Sequence, residues 1–209
     1  MIAVRVVLLA WLVLLGTPAA GQTSEATTGA IVRSRLIDVP VLRCRFEQTK
    51  HLQGFRNPLV SVGSVLFSRD HGFVWSTIEP FASTLVLTRT RVVSRSADGN
   101  AHTVVGQAAS PAVVTGNELM MALIGGDIDT LAKRFEIAES LAEDGSWHLR
   151  LVPKSGPLSQ LFERIDLQGD RYMRRVSLEE VGGDRTEIRF LDPYDTASPL
   201  TDAEVNQFE

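Results

Sequence analysis

Leu42, Cys44 and Phe46 alternate with Arg43, Arg45 and Glu47, and this period of two recurs along most of the chain. Successive side chains of a strand point to opposite faces, so such a run buries one face and hydrates the other. Comparable runs occupy 60–67, 73–78, 84–88, 92–95, 135–139, 147–152, 172–180 and 185–191. Many are separated by Asp98-Gly99-Asn100, Asp144-Gly145-Ser146, Gly169-Asp170 or Gly182-Gly183-Asp184, which are hairpin turn signals. Strands spaced this way pair antiparallel with their chain neighbours. A doubly wound parallel sheet is excluded, because only one mid-chain stretch could supply a crossover helix. The pattern predicts a mainly β fold with a few short helices.

Three segments carry helical spacing instead. Val32, Leu36 and Val39 recur at i, i+4 and i+7, predicting an amphipathic helix that ends before Pro40. Between Asn117 and Arg134, a stripe of Leu119, Met120, Leu123, Ile124, Ile128 and Leu131 is interrupted by Gly125-Gly126. It predicts two short helices with a joint, the second capped by Asp127. Thr201-Asp-Ala-Glu204 has the form of a capping box, with Leu200 and Val205 spaced as a hydrophobic staple.

The first residues have a different character. Arg5 precedes an apolar run over 6–15, followed by Pro18 and the small residues 19–21. A basic start, an apolar core and small residues predict a cleavable secretory signal peptide over 1–21. The run is much shorter than the ~20 residues of a membrane span, and no cysteine follows it to accept a lipid. Residues 22–209 are then read as one domain. The chain's net charge is −4, and loss of Arg5 makes it one unit more negative, which argues against a nucleic-acid partner. Cys44 is the one cysteine, so no internal disulfide can form and stability must come from packing.

Residues suited to catalysis are sparse. His51, His71, His102 and His148 are scattered, without metal-ligand spacing. Cys44 alternates with apolar neighbours, where a thiol is usually an inert core group. Gly-x-Ser-x-Gly and a phosphate-binding glycine loop are both missing from the sequence. The expectation is no catalytic site, no metal and no cofactor. Met120-Met121 beside Leu123-Ile124 either plug the core or accommodate variable apolar ligands. A sheet curved around a lid of short helices leaves an apolar cavity better matched to an acyl chain than to a polar substrate.

Four motifs stand in order: Phe46-Glu-Gln48; then Gly63, Arg69, Phe73, Trp75 and Pro80; then Asp98-Gly99; then Leu151-Val-Pro-Lys154. In these the chain resembles the LolA-type periplasmic lipoprotein carrier family over most of its mature length. The resemblance implies an incomplete, unclosed antiparallel β-barrel whose open side is covered by a lid of short helices. It implies a monomer without a membrane anchor, in the periplasm of a Gram-negative bacterium. The cargo would be an acylated lipoprotein or another lipid, received from an inner-membrane transporter and passed to an outer-membrane receptor. The expected cavity is lined by Leu42, Phe46, Phe73, Trp75, Leu85, Leu87, Met120, Leu123 and Ile124. By position, Arg69 matches an arginine that bonds lid carbonyls, and its five guanidinium donors suit orphan carbonyls at helix ends. The alternative is a turn arginine paired with Asp70.

The sequence departs from the family pattern in three places. Asp70 stands where proline usually follows the arginine, and could compete for the guanidinium. The strand after Asp98-Gly99 carries His102 in place of aromatics. The sequence stops at Glu209, where fuller members continue into another strand and loop, which leaves room for a paralogue carrying another lipid or glycolipid. Two other classes stay open: an envelope lipid-sensing module of similar fold, and a secreted hydrolase bringing His148 or His102 against Ser or Cys44.

Overall fold

The computed structural model describes residues 29–89, 91–96, 101–105, 121–122, 125–195 and 199–209, the span 101–105 as backbone. Among the described residues, eleven strands lie in one antiparallel sheet: β1 (Val41–His51), β2 (Leu59–Ser68), β3 (Gly72–Glu79), β4 (Ser83–Leu87), β5 (Val92–Ser96), β6 (Ala101–Val105), β7 (Phe135–Leu141), β8 (Trp147–Pro153), β9 (Phe162–Gly169), β10 (Met173–Glu180) and β11 (Arg185–Asp195). Their order is β6-β5-β4-β3-β2-β1-β11-β10-β9-β8-β7. Two hairpin meanders are therefore joined where the first strand pairs with the last, Phe46 opposite Phe190. β6 and β7 are the sheet's edges, and the barrel is not closed. Helices among the described residues include α1 (Ala30–Arg35), α2 (Ile128–Arg134) and α3 (Asp202–Val205), and Met121, Ala122 and Gly125 are helical as well.

Alternation along the strands sorts side chains between two faces. The inner face carries Cys44, Phe46, Val65, Phe67, Phe73, Leu87, Trp147, Leu149, Leu151, Ile165, Leu167 and Phe190, which form one buried cluster with Val32, Ile128 and Leu131 of the helices. On the outer face of β1–β5, Val41, Leu66, Val74, Val86 and Val93 form a second cluster, covered by Leu200 and Phe208.

The predicted strands are all present. β9 was not among them: Leu158, Leu161, Phe162 and Ile165 also fit a helical period, although Ile165 and Leu167 point inward and Arg164 and Asp166 outward. The first helix is shorter than its spacing predicts. It stops at Arg35, Leu36 is already extended, and the Ile37 N–H donates to Arg171 O in the β9–β10 turn at 2.9 Å. A tertiary hydrogen bond thus replaces the helical one. The Asp127 cap forms, its side chain accepting from Thr130 N. So does the Thr201–Glu204 capping box. Residues 1–28, including the predicted leader, lie outside the described residues, and no described helix is long and apolar enough to cross a membrane.

Candidate functional site

The inner face between β1 and β4 is built from cross-strand pairs. Trp75 lies opposite Val65 and Leu85, Phe73 opposite Phe67 and Leu87, and Leu42 opposite Phe67. The Trp75 ring is 3.8 Å from Phe46, 5.8 Å from Phe73 and 6.4 Å from Phe190, centroid to centroid. Gly63 permits this arrangement. It pairs directly with Phe46, and a Cβ there would stand 2.7 Å from the Phe46 ring and 1.9 Å from Ser76 O. The glycine of the Gly63-to-Trp75 motif thus leaves room for the aromatic opposite it.

All six expected cavity residues of the strands, Leu42, Phe46, Phe73, Trp75, Leu85 and Leu87, belong to this face. Phe46, Phe73 and Leu87 are buried, whereas Leu42, Trp75 and Leu85 are half-buried. Met120, Leu123 and Ile124 lie outside the described residues.

The helices cover the other side of the same face. α1 packs on β7 and β8, and α2 on β7, burying Val32, Ile128 and Leu131 over the β7–β9 region. The two helices are clasped together. A Cβ on Gly29 would come within 2.3 Å of Ile128, and Arg33 is ion-paired with Asp129. Where they meet the ends of β2 and β4 lies a cavity of about 770 Å³, with an apolar wall of Leu36, Ile37, Phe67, Met121 and Ala122. That volume falls within the ~300–1,000 Å³ usual for a small-molecule site.

The Gly125-Gly126 joint closes one side of the cavity. Gly126 has φ +69°, and a Cβ there would lie 2.0 Å from Leu36 Cδ2, so a side chain at this turn would be strained and would displace Leu36. Of the nine residues expected from the sequence, the six that are described, Leu42, Phe46, Phe73, Trp75, Leu85 and Leu87, are not among those lining this cavity. Signals for its wall were present. Phe67 shares the alternation of Val65, Leu36 shares the first helix's stripe, and the paired glycines mark the joint. What the sequence lacked was the proximity of these three segments.

Arg69 sits at the cavity edge in the β2–β3 turn. Its backbone N–H donates to Pro40 O at 3.0 Å, and Nη2 donates to Val39 O at 3.4 Å. The carboxylate that engages its guanidinium is Asp38. Asp70 was the expected competitor and is not its partner. The carbonyl and the carboxylate both belong to the link between α1 and β1, so Arg69 ties that link, and α1 through it, to the strand frame.

The hydrolase arrangement is not assembled around Cys44. The thiol is buried on the inner face, where loss of solvation pushes its pKa up to about 12. It is therefore protonated and unreactive near neutrality. His148 lies on the outer face, with Nε2 3.1 Å from Asp166 Oδ1. The His102 side chain is outside the described residues. Among the described residues no cluster of His, Cys, Asp and Glu is arranged to hold a metal ion.

An unclosed half-barrel with an apolar inner face, short covering helices and a cavity at their joint defines an apolar-ligand-binding architecture. Residues 38–204 match the family model described as outer membrane lipoprotein carrier protein LolA, and the chain belongs to this family. No curated protein matches it in sequence. Among solved structures it is similar to a LolA superfamily protein from Nitrosomonas europaea, at 10% identity and a TM-score of 0.45 over 83% of this chain and 96% of that one. It is also similar to a DUF1329 family protein from Desulfovibrio piger, at 13% identity and a TM-score of 0.45 over 86% and 94%. A third similarity is to the Pseudomonas aeruginosa MucA/MucB complex, at 14% identity and a TM-score of 0.43 over 81% and 55%.

Proposed function

We propose that this protein is a periplasmic carrier that binds the acyl chains of a lipoprotein, or of a related lipid or glycolipid, without covalent chemistry. It would ferry this cargo from an inner-membrane transporter to an outer-membrane receptor, with residues 1–21 a cleaved leader and 22–209 the carrier domain. The observation that carries the reading is the continuity of the apolar surface. The half-buried strip of Leu42, Trp75 and Leu85 lies on the same face as Phe67, which also walls the cavity beneath the lid joint.

Each methylene buried there contributes about 0.8 kcal/mol. The ligand must also displace existing contacts, of which Phe46 against Trp75 is the tightest, and this cost keeps binding reversible. Arg69 would act as the lid latch through the Val39 carbonyl and Asp38. Opening the α1–β1 link exchanges those bonds for solvent, so entry of cargo and release of the latch are coupled.

Native mass spectrometry of protein purified from periplasm tests the reading. A co-purifying acylated species is expected, and Arg69→Leu is expected to change its occupancy while thermal unfolding shifts little. Equal loading and transfer by wild type and variant would remove the latch role. Protein that is empty and takes up no acylated cargo on incubation would remove the carrier reading.

A further inference from the structure

We propose that the cavity selects amphiphiles whose head group is anionic, an oxyanion such as a phosphate ester held within a few bonds of the acyl chain. The inference rests on the carrier reading and narrows its cargo class. Although the whole chain carries a net charge of −4, this cavity is walled by five cationic side chains, Arg33, Arg69, Arg89, Lys133 and Arg134, against two carboxylates, Asp38 and Asp127.

Both carboxylates are committed. Asp38 pairs with Arg69, and Asp127 accepts from Thr130 N at 3.1 Å and Thr130 Oγ1 at 2.7 Å as the cap of α2. Arg33 pairs with Asp129. Among the described residues, Arg89, Lys133 and Arg134 form no ion pair, so three positive charges line the cavity without a matching carboxylate.

Lys133 and Arg134 also lie in the last turn of α2, where cations complement the helix dipole. That role explains neither Arg89, which enters from the β4–β5 turn, nor the convergence of the two elements on one cavity. Leu36, Ile37, Phe67 and Met121 line the same cavity, so an oxyanion held by these cations has apolar side chains nearby for the first methylenes of its chain. A cavity that combines an apolar wall with unmatched cations favours an anionic amphiphile over a neutral one of equal chain length. The preference falls as salt screens the cations.

The test measures affinity of the full chain for 1-palmitoyl lysophosphatidylglycerol, 1-palmitoyl lysophosphatidylcholine, 1-palmitoylglycerol and inorganic phosphate, each lipid below its micelle concentration. Lysophosphatidylglycerol is expected to bind about tenfold tighter than palmitoylglycerol, a difference of about 1.4 kcal/mol. Added salt should erode this ratio. In Arg89→Gln/Lys133→Gln/Arg134→Gln the ratio should approach one, and Lys133→Arg should retain the wild-type ratio.

Equal binding of all three lipids overturns the head-group inference and leaves the acyl reading standing. Binding of none overturns both. A ratio unchanged in the triple variant, or inorganic phosphate competing as well as the anionic lipid, also overturns the inference, the latter in favour of a free-anion site.

Discussion

The two halves of the sheet share one inner face and have opposite outer faces. On β1–β5 the outer side chains Val41, Leu66, Val74, Val86 and Val93 are apolar and lie under the C-terminal segment, with Phe208 buried among them. On β8–β11 the outer side chains form a charged lattice: Asp166 receives Arg150 Nε at 2.9 Å and Arg164 Nε at 2.8 Å, and Arg164 Nη2 reaches Glu179 at 2.6 Å. The stretch of β2–β4 around Leu66, Val74 and Val86 is therefore buried on both faces, whereas β8–β10 are buried on one. This explains why β2–β4 read as continuous apolar runs (Val65-Leu66-Phe67, Phe73-Val74-Trp75, Leu85-Val86-Leu87) and β8 as alternation (Trp147-His-Leu-Arg-Leu151). The half with the doubly covered stretch holds the aromatic strip assigned to cargo, and its outer cover gives those strands a fixed backing.

The sharpest way to break this contrast is to place a charge on each outer face. Val86 is fully buried, so Val86→Asp should cost more than ~3 kcal/mol or prevent folding. Ser177→Lys on β10, between Asp166 and Glu187, should stay within ~0.5 kcal/mol of wild type in urea unfolding. Phe208→Ala, which opens the cover itself, should cost about 3 kcal/mol by the same measurement.

A smaller effect is expected where the cover is tied down. Arg43 Nε and Nη2 donate to Glu204 at 2.6 and 2.8 Å. These bonds, helped by those from Thr201, hold the Glu204 carboxyl at about 2 against an ordinary 4.5. Because the folded-state value is depressed, the contribution is complete above about 4.5 and is lost as pH falls toward 2. Wild-type urea midpoints should therefore drop over that window more than those of Glu204→Gln, with the two converging at the acid end. A small effect is also expected in the uncovered half. Partial burial opposes ionisation of Asp166, yet the bonds from Arg150 and Arg164 hold its carboxyl below the ordinary value. In so exposed a lattice, Asp166→Asn should cost less than ~1 kcal/mol and be sensitive to salt.

Much of this organisation could be read from the residues. Alternation placed Leu42, Cys44 and Phe46 on the inner face, turn residues marked the hairpins, and Asp127 and the Thr201–Glu204 box marked two helix starts. The missing parts depend on contacts distant in sequence. α1 ends early because Ile37 bonds the β9–β10 turn. The C-terminal segment docks through Arg43 to Glu204, Arg91 to Phe208 O at 2.6 Å and Arg95 to Gln207 O at 3.2 Å, pairings that no local pattern encodes. The cavity's described wall was not legible for the same reason. The aromatic strip was readable as a face, but its opening is assembled by α1, the Gly125-Gly126 joint and two hairpin turns.

The central claim, that acyl cargo lies on the inner face and enters at the lid joint, is tested most directly by photo-crosslinking. The purified full chain would be loaded with a palmitoyl lipid bearing a diazirine at the chain end, irradiated, and mapped by peptide mass spectrometry. Adducts are predicted on Leu42, Phe67, Trp75 and Leu85, and they should be lost in competition with an unlabelled lipid of the same head group. Adducts confined to exposed apolar residues away from the cavity, such as Phe55 and Phe81 at the opposite end of the strands, would contradict it.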